Sequence, residues 1–192
     1  MMNLIQNTAG FTMHIVSEYV KEGDHVIDAT CGNGYDTLAL ARMVGETGKV
    51  YGFEIQPLAV MGAMSMLERE NAPAEIELIY HGHELMDRFV DEKVSAVVFN
   101  LGYLPGGEDK TVTTMTKTTL KALELAAGMI KKDGIIAVTM YPGHEEGKKE
   151  RDAVLSWACS LDKSIYHAAH IKMVNQSDGA PEILAVTRKQ TV

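Results

Sequence analysis

Cysteine is scarce in this chain: Cys31 and Cys159 are the only two among 192 residues. That excludes a disulfide framework and a cysteine metal cage, and it fits a reducing, cytoplasmic setting. Long apolar runs are missing as well. No stretch approaches the roughly 18 consecutive apolar residues of a membrane-spanning helix. The opening MMNLIQNTAGFTMH has neither a basic start nor an extended apolar segment, so it does not read as a secretory signal. Positive charge is also short. Lys and Arg number 18 against 26 Asp and Glu, giving a formal net charge of −8 and a pI near 5.3. Proteins that rely on non-specific phosphate contact are usually basic. A nucleic acid, if bound, must therefore be met through a local basic patch or a shaped pocket. Repeats, low-complexity segments and linkers are absent, so residues 1–192 are expected to form one domain.

What is present is an alternation of apolar β-rich runs with helical patterns. Strands are expected at 25–30, 50–55, 76–81, 94–101, 134–141, 165–174 and 182–189. Helices are expected at 11–21, 36–44, 57–70, 83–90, about 115–131 and 145–161, with Pro57 at a helix start where proline is tolerated. Such an order implies βαβ units and an α/β fold with a doubly wound, mostly parallel seven-stranded sheet. The strands are apolar almost throughout, as in a sheet covered on both faces. The last two strands follow each other without a helix and predict an antiparallel hairpin at one edge. Leu58, Met61, Met64, Met66 and Leu67 read as the core side of one helix, and Trp157 as core of another.

In such sheets the ligand lies beyond the carboxyl ends of the strands. The stretch VIDATCGNGYDT puts Asp28 and then Cys31, Gly32, Asn33 and Gly34 at the end of the first strand. Glycines there let the backbone approach a ligand, and the following helix offers its N-terminus to polar groups. Glu54 ends the second strand, where a carboxylate can accept hydrogen bonds from ribose hydroxyls. Together they read as a nucleoside-cofactor site; the bland alternative is a glycine-rich turn with no ligand. A dinucleotide fingerprint needs a small third residue, and Thr37 stands there instead. The pattern D-x-x-C-G-x-G with a strand-end acid resembles the S-adenosylmethionine (SAM) loop of class I methyltransferases. That resemblance implies that Gly32 and Gly34 line the methionine part, and that Asp28 orders the loop or reaches the amino group through water. Thr30 stands where such loops usually have their first glycine. The implied cofactor-binding set is Asp28, Thr30, Cys31, Gly32, Asn33, Gly34, Asp36, Thr37, Glu54, Ile55, Gln56, His83, Glu84, Asn100 and Leu101.

His83 and Glu84 can reach an adenine edge or cap a helix. A metal reading of His81, His83 and Glu84 lacks a further ligand at a recognisable spacing, so no metal is expected. The fourth strand ends in Asn100-Leu101-Gly102-Tyr103-Leu104-Pro105-Gly106-Gly107. This resembles the N-P-P-Y loop of enzymes that methylate exocyclic amines. An amine nucleophile needs its N–H groups held so that its lone pair faces the methyl group; Asn100 Oδ1 can hold one. Tyr103 can stack on a base. The alternative is a Gly/Pro surface loop with Asn100 as a cap. After the fifth strand, MYPGHEEGKKE brings Tyr141, His144, Lys148 and Lys149 to the same edge. His144 reads equally as a general base or as a helix cap. Lys148, Lys149 and Arg151, with Lys110, Lys117 and Lys121, form either a basic rim or ordinary solvated helix faces. The threonines at 111, 113, 114, 116, 118 and 119 suggest that some hydroxyls face the site.

Taken together, VIDATCGNGYDT, GFEIQ, NLGYLPGG followed by KTVTT, and MYPGHEEG resemble a small bacterial methyltransferase family over about residues 7–189. The family was first labelled rRNA methylase and later assigned to the tRNA wobble uridine. Membership implies SAM as cofactor and S-adenosylhomocysteine as product. It implies a primary amine acceptor, 5-aminomethyl-2-thiouridine, and the tRNA anticodon region as partner. Asn100, Tyr103 and His144 are then the catalytic candidates. Gly102, Tyr103, Leu104, Pro105, Gly106, Tyr141, His144 and Lys148 are the substrate-binding ones. Competing expectations are a methyltransferase acting on rRNA or on a small-molecule amine, and a non-catalytic SAM- or nucleotide-binding protein. A homodimer is one way for such a chain to extend its RNA surface.

Overall fold

The computed structural model describes residues 4–102 and 114–190. Seven strands form one sheet: β1 (His25–Asp28), β2 (Lys49–Phe53), β3 (Glu75–Ile79), β4 (Val94–Asn100), β5 (Ile130–Met140), β6 (Tyr166–Ile171) and β7 (Glu182–Arg188). Five helices accompany them: α1 (Thr8–Ser17), α2 (Tyr35–Val44), α3 (Pro57–Arg69), α4 (Thr116–Met129) and α5 (Glu145–Ser160). The sheet order is β3-β2-β1-β4-β5-β7-β6. The first five strands run parallel, and β7 lies antiparallel to both β5 and β6. This is the doubly wound sheet with an edge hairpin that the alternating pattern implies. Its direction of winding reverses between β1 and β4, so the crevice opens at the carboxyl ends of those two strands.

The apolar strands serve two cores. Ala96 and Val98 of β4 and Ile135 and Ala137 of β5 pack with Met13 and Val16 of α1 and Leu40, Ala41 and Val44 of α2. The intervening Val97, Phe99, Ile136 and Val138 pack with Leu123 of α4 and Val154 of α5 on the other face. Because successive strand residues point to opposite faces, a strand covered on both sides must be apolar at every position. That is why these runs lack alternation. Among the described residues, no helix is long and apolar enough to cross a membrane.

Several boundaries depart from expectation for local reasons. α1 spans Thr8–Ser17 rather than 11–21, because the Asn7 side chain accepts a hydrogen bond from the Gly10 N–H and caps the helix there. β5 begins at Ile130, not at 134. Val94 pairs with Ile130 and Ala96 with Ile135, so the KKDG turn survives as a bulge within the strand, with Asp133 at φ 61°. The segment expected to be helical over 83–90 is a 3₁₀ turn, His83–Arg88. On α3 the buried residues are Ala59, Ala63, Met66 and Leu67, at helical spacing. Leu58, Met61 and Met64 point to solvent, which corrects their assignment to the core. Trp157 is half-buried at the core's margin rather than within it.

Candidate functional site

The cofactor loop is held by its own side chains. Asp28 ends β1 and is only 1% exposed. Its Oδ1 accepts from the Thr30 N–H at 3.1 Å, and its Oδ2 accepts from the Thr37 hydroxyl at 2.6 Å. The carboxyl thus ties the start of the loop to the first turn of α2. Burial, reinforced by the neighbouring Asp36 carboxylate, pushes Asp28 up to about 7. Thr37, the residue that breaks a dinucleotide fingerprint, is completely buried and lies 3.2 Å from Cys31 Sγ. Burial raises the Cys31 thiol well above its ordinary range, so it is an inert wall of the loop.

Gly32 and Gly34 adopt φ values of 52° and 83°. A Cβ on Gly34 would also meet Met66 and Ala63 of α3 at 2.9 and 3.1 Å. Glycine is therefore required there by conformation and by packing. Glu54 closes the loop from the end of β2. Its Oε2 accepts from the Gly32 N–H at 2.9 Å, and its Oε1 accepts from the Ile55 and Gln56 N–H groups at 2.8 Å each. The carboxylate is half-buried; Oε1 is filled by its two N–H groups, and Oε2 keeps lone-pair capacity for a ribose hydroxyl. Ile55 is exposed beside it, and Gln56 caps α3.

Thr30, the departure from the usual glycine, has a defined role: its hydroxyl accepts from the Asn100 N–H at 2.7 Å. That bond joins the cofactor loop to the end of β4. The Asn100 side chain donates through Nδ2 to Asp36 Oδ2 at 3.4 Å, and Tyr141 at the end of β5 lies beside the same amide. Among the described residues, Asn100 Oδ1 is buried without a hydrogen-bond partner. Burial raises the Asp36 carboxyl, and the Asn100 bond opposes that shift. Burial also raises the Tyr141 phenol, assisted by Asp36. A buried acceptor left open at the mouth of a parallel sheet is a place for a donor from a ligand.

Leu101, buried, continues from Asn100 and donates its N–H to the Thr139 carbonyl. Gly102 and Thr114 are bound to each other: the Gly102 N–H donates to the Thr114 hydroxyl at 2.9 Å, and the Thr114 N–H to the Gly102 carbonyl at 3.1 Å. Buried Glu150 of α5 accepts from the hydroxyls of Thr114 and Thr119 at 2.8 and 2.7 Å. These are two of the hydroxyls expected to matter, and they anchor the site's edge to α5. Glu150 itself lies in the polar run KKERD, which carries no sequence signal of burial. Tyr103, Leu104, Pro105 and Gly106 lie outside the described residues, as do Lys110, Thr111 and Thr113.

Three expectations are refined. His83 is buried and donates from Nδ1 to the Ala29 carbonyl at 2.9 Å, so it props the loop from beneath. Burial lowers its pKa, which keeps it neutral; Glu84 is half-buried beside it. His144 is the N-cap of α5: its Nδ1 accepts from the Gly147 N–H at 3.0 Å. That leaves Nε2 carrying the proton, buried and without a partner among the described residues. His144 thus serves as the cap of α5, and its basic nitrogen is already used. Of the expected basic rim, Lys149 pairs with Glu145 and Glu146, and Arg151 with Asp152 and Glu182. Lys148 is exposed with no ion pair among the described residues.

The geometry meets independent comparisons. The "Putative rRNA methylase" family model matches residues 50–187. The chain belongs to this family. It is a SAM-dependent methyltransferase domain of the class I fold. A second model, protein-L-isoaspartate(D-aspartate) O-methyltransferase, matches residues 5–84, the cofactor half. A chloroplastic Arabidopsis thaliana protein named tRNA (mnm5s2U34)-methyltransferase is 39% identical over 85% of this chain. The chain spans 63% of that relative's length. A solved "putative rRNA-methylase" from Clostridium thermocellum superposes with TM-score 0.91 at 38% identity, covering 95% of this chain and 97% of that one. SMU.1697c from Streptococcus mutans, solved in complex with SAH, gives TM-score 0.85 at 30% identity, with 98% and 99% covered. The residues here fit that group. A partnered glycine loop and a strand-end carboxylate are donors and acceptors suited to an adenosyl amino acid.

Proposed function

We propose that this chain methylates the primary amine of 5-aminomethyl-2-thiouridine at the wobble position of tRNA, giving 5-methylaminomethyl-2-thiouridine and S-adenosylhomocysteine. The observation that carries the reading is Asn100. Its Oδ1 is buried and open, and it sits at the end of β4 directly bonded to the cofactor loop through Thr30. The name of the Arabidopsis relative supports the same substrate.

SAM, when bound, supplies a methyl group already activated on a sulfonium. The chain's residues then have to bind and align. Glu54 would hold the ribose, with Ile55 covering the base and the Gly32–Gly34 backbone lining the methionine part. Asn100 Oδ1 would accept one amine N–H and so aim the nitrogen lone pair. Fixing that geometry supplies much of the rate. The Nε2–H of His144 and exposed Lys148 would meet polar or anionic atoms of the nucleotide. Gly102, Tyr103, Leu104, Pro105, Gly106 and Tyr141 complete the proposed acceptor side. The anticodon region is the proposed partner; its bases can be splayed out and read with few phosphate contacts. An acidic body with Lys149 and Arg151 already paired suits such a compact contact better than a long duplex.

The test is methyl transfer from labelled SAM to tRNA from cells lacking the final wobble methylation, with rRNA from the same cells alongside, read by nucleoside mass spectrometry. Conversion of 5-aminomethyl-2-thiouridine to its N-methyl form supports the proposal. Product on rRNA alone moves the acceptor there. No product on either RNA, from protein that binds SAM, moves it to a small-molecule amine.

A further inference from the structure

We infer that Asp36 takes the proton from the ammonium form of the acceptor while Asn100 holds the nitrogen. The inference rests on the amine-methylating reading above. An unconjugated aliphatic amine resembles the lysine side chain, which is protonated at neutral pH. A protonated nitrogen has no lone pair to give, so the site needs a proton acceptor next to the amine.

The nearest histidine does not serve. His144 Nδ1 is occupied by the Gly147 N–H, and Nε2 already bears a proton. Asp36 bonds the other arm of the same amide: its Oδ2 is 3.4 Å from Asn100 Nδ2, while Oδ1 is open among the described residues. An ionised carboxylate only accepts hydrogen bonds. It therefore turns the amide so that nitrogen faces Asp36 and oxygen faces the acceptor. A nitrogen held at Oδ1 on the side that faces Asp36 would meet the carboxylate as well, so that one carboxylate fixes the holder and relieves the held group of its proton.

The groups facing Asp36 come from each element around it: Asp28 at the end of β1, Cys31 of the loop, Asn100 at the end of β4 and Tyr141 at the end of β5. Glu54, at the end of β2, lies beyond Asp28. Among the described residues no lysine or arginine pairs with Asp36. Desolvation raises the half-buried Asp36 carboxyl against the opposing Asn100 bond, which makes it a stronger base than a free carboxylate. In the step, an N–H bond of the ammonium breaks and its electron pair stays on nitrogen. An O–H bond forms on Asp36, and the ion pair becomes a neutral amine and a neutral acid. The proton passes to solvent once the product has left.

Asp36→Asn keeps the shape, and its side-chain oxygen can still accept from Asn100. The test compares it with wild type on tRNA bearing 5-aminomethyl-2-thiouridine. SAM binding is measured by calorimetry and single-turnover rate from about pH 6 to about pH 9. We expect SAM affinity within about threefold of wild type and a rate about 100-fold lower near neutrality. The variant's rate should climb about tenfold per pH unit as solution supplies the free amine, closing the gap in alkali. An unchanged rate and profile overturn the proposal. So does a loss of SAM affinity large enough to account for the lost rate, because Asp36 would then be holding the cofactor. A wild type that leaves the tRNA unmodified overturns the substrate reading and this proposal with it, whereas an active wild type beside an unaffected variant overturns the proposal alone. Carbon-13 carboxyl titration of the cofactor-free wild-type protein gives an independent readout. Asp36 should titrate above the ordinary carboxylate range, and an ordinary value sinks the idea even if the variant fails to fold.

Discussion

The cofactor loop and the acceptor end of the sheet meet at Asn100, yet their polar groups are in different conditions. In the loop, Asp28, Thr30, Thr37 and Glu54 all bond to the loop itself or to its neighbours. At the proposed acceptor end, Asn100 Oδ1 and His144 Nε2 are buried with no partner among the described residues. The first region is a finished cradle that can keep its shape without a ligand. The second holds polar atoms out of water, which is costly until something bonds to them. The contrast teaches where recognition is concentrated. On the proposed reading, the cofactor meets a pre-formed surface, whereas the acceptor completes one.

The largest effect expected from breaking this contrast is at Asn100. Asn100→Ala removes the open acceptor and leaves the loop's own bonds in place, since Thr30 bonds the backbone of residue 100. Turnover should fall by about 100- to 1000-fold, the range for losing one pre-oriented polar contact in a transition state. SAM affinity should stay near wild type. Calorimetry beside single-turnover kinetics separates the two, and full activity in the variant removes Asn100 from its role.

Glu54→Ala attacks the other side. It takes away the proposed ribose acceptor and also strands three backbone N–H groups. Bonds to a charged group are worth roughly 1.5–3 kcal/mol, so SAM binding should weaken by about 10- to 100-fold. Unchanged affinity in a titration would show that the finished half of the crevice is not a cofactor cradle.

How much of this was legible in sequence follows the same division. The doubly wound sheet was readable because strands covered on both faces must be apolar throughout, as in Val97-Val98-Phe99 and Ile135-Ile136-Ala137. The loop was readable because Gly32 and Gly34 need positive φ and Glu54 must end a strand. Asp28 as an organiser of the loop, one of two expected roles, is what its bonds to Thr30 and Thr37 show. The Asp36–Asn100 contact and the Glu150 anchor were not readable, since they join residues 64 and 31–36 positions apart across different elements. Leu58, Met61 and Met64 misled because methionine and leucine are common in cores, while α3 buries the face that carries Ala59, Ala63, Met66 and Leu67 instead.

A pH experiment sharpens the comparison from the finished side. Asp28 is held near 7 when folded, against an ordinary value near 3.8. The folded chain therefore keeps a proton that the unfolded chain releases between those values. Its contribution is fully present below about pH 4 and is lost as pH rises toward 7. Asp28→Asn can still accept from the Thr30 N–H and donate to the Thr37 hydroxyl, without ever ionising. Its melting temperature relative to wild type should rise by about 4 °C or more between pH 5 and pH 8. A constant difference across that interval in scanning calorimetry would mean that Asp28 does not carry this proton.

The smallest expected effect comes from His144, and it divides the two conditions within one residue. Its Nδ1 is satisfied and caps α5, while its Nε2–H is buried and open. Asn is among the best capping residues, so His144→Asn should keep the cap and leave the melting temperature almost unchanged. The same substitution deletes the Nε2–H donor. If that donor meets the nucleotide, apparent affinity for tRNA should weaken by about 3- to 10-fold, the scale of one hydrogen bond, with SAM affinity unaltered. His144→Ala alongside loses the cap as well and should melt a few degrees lower, by about 2–4 °C for a helix cap in a chain of this size. Equal tRNA affinity in His144→Asn and wild type would assign the histidine to α5 alone. The recognition of the acceptor would then rest on Asn100 and its neighbours without help from the far wall of the crevice.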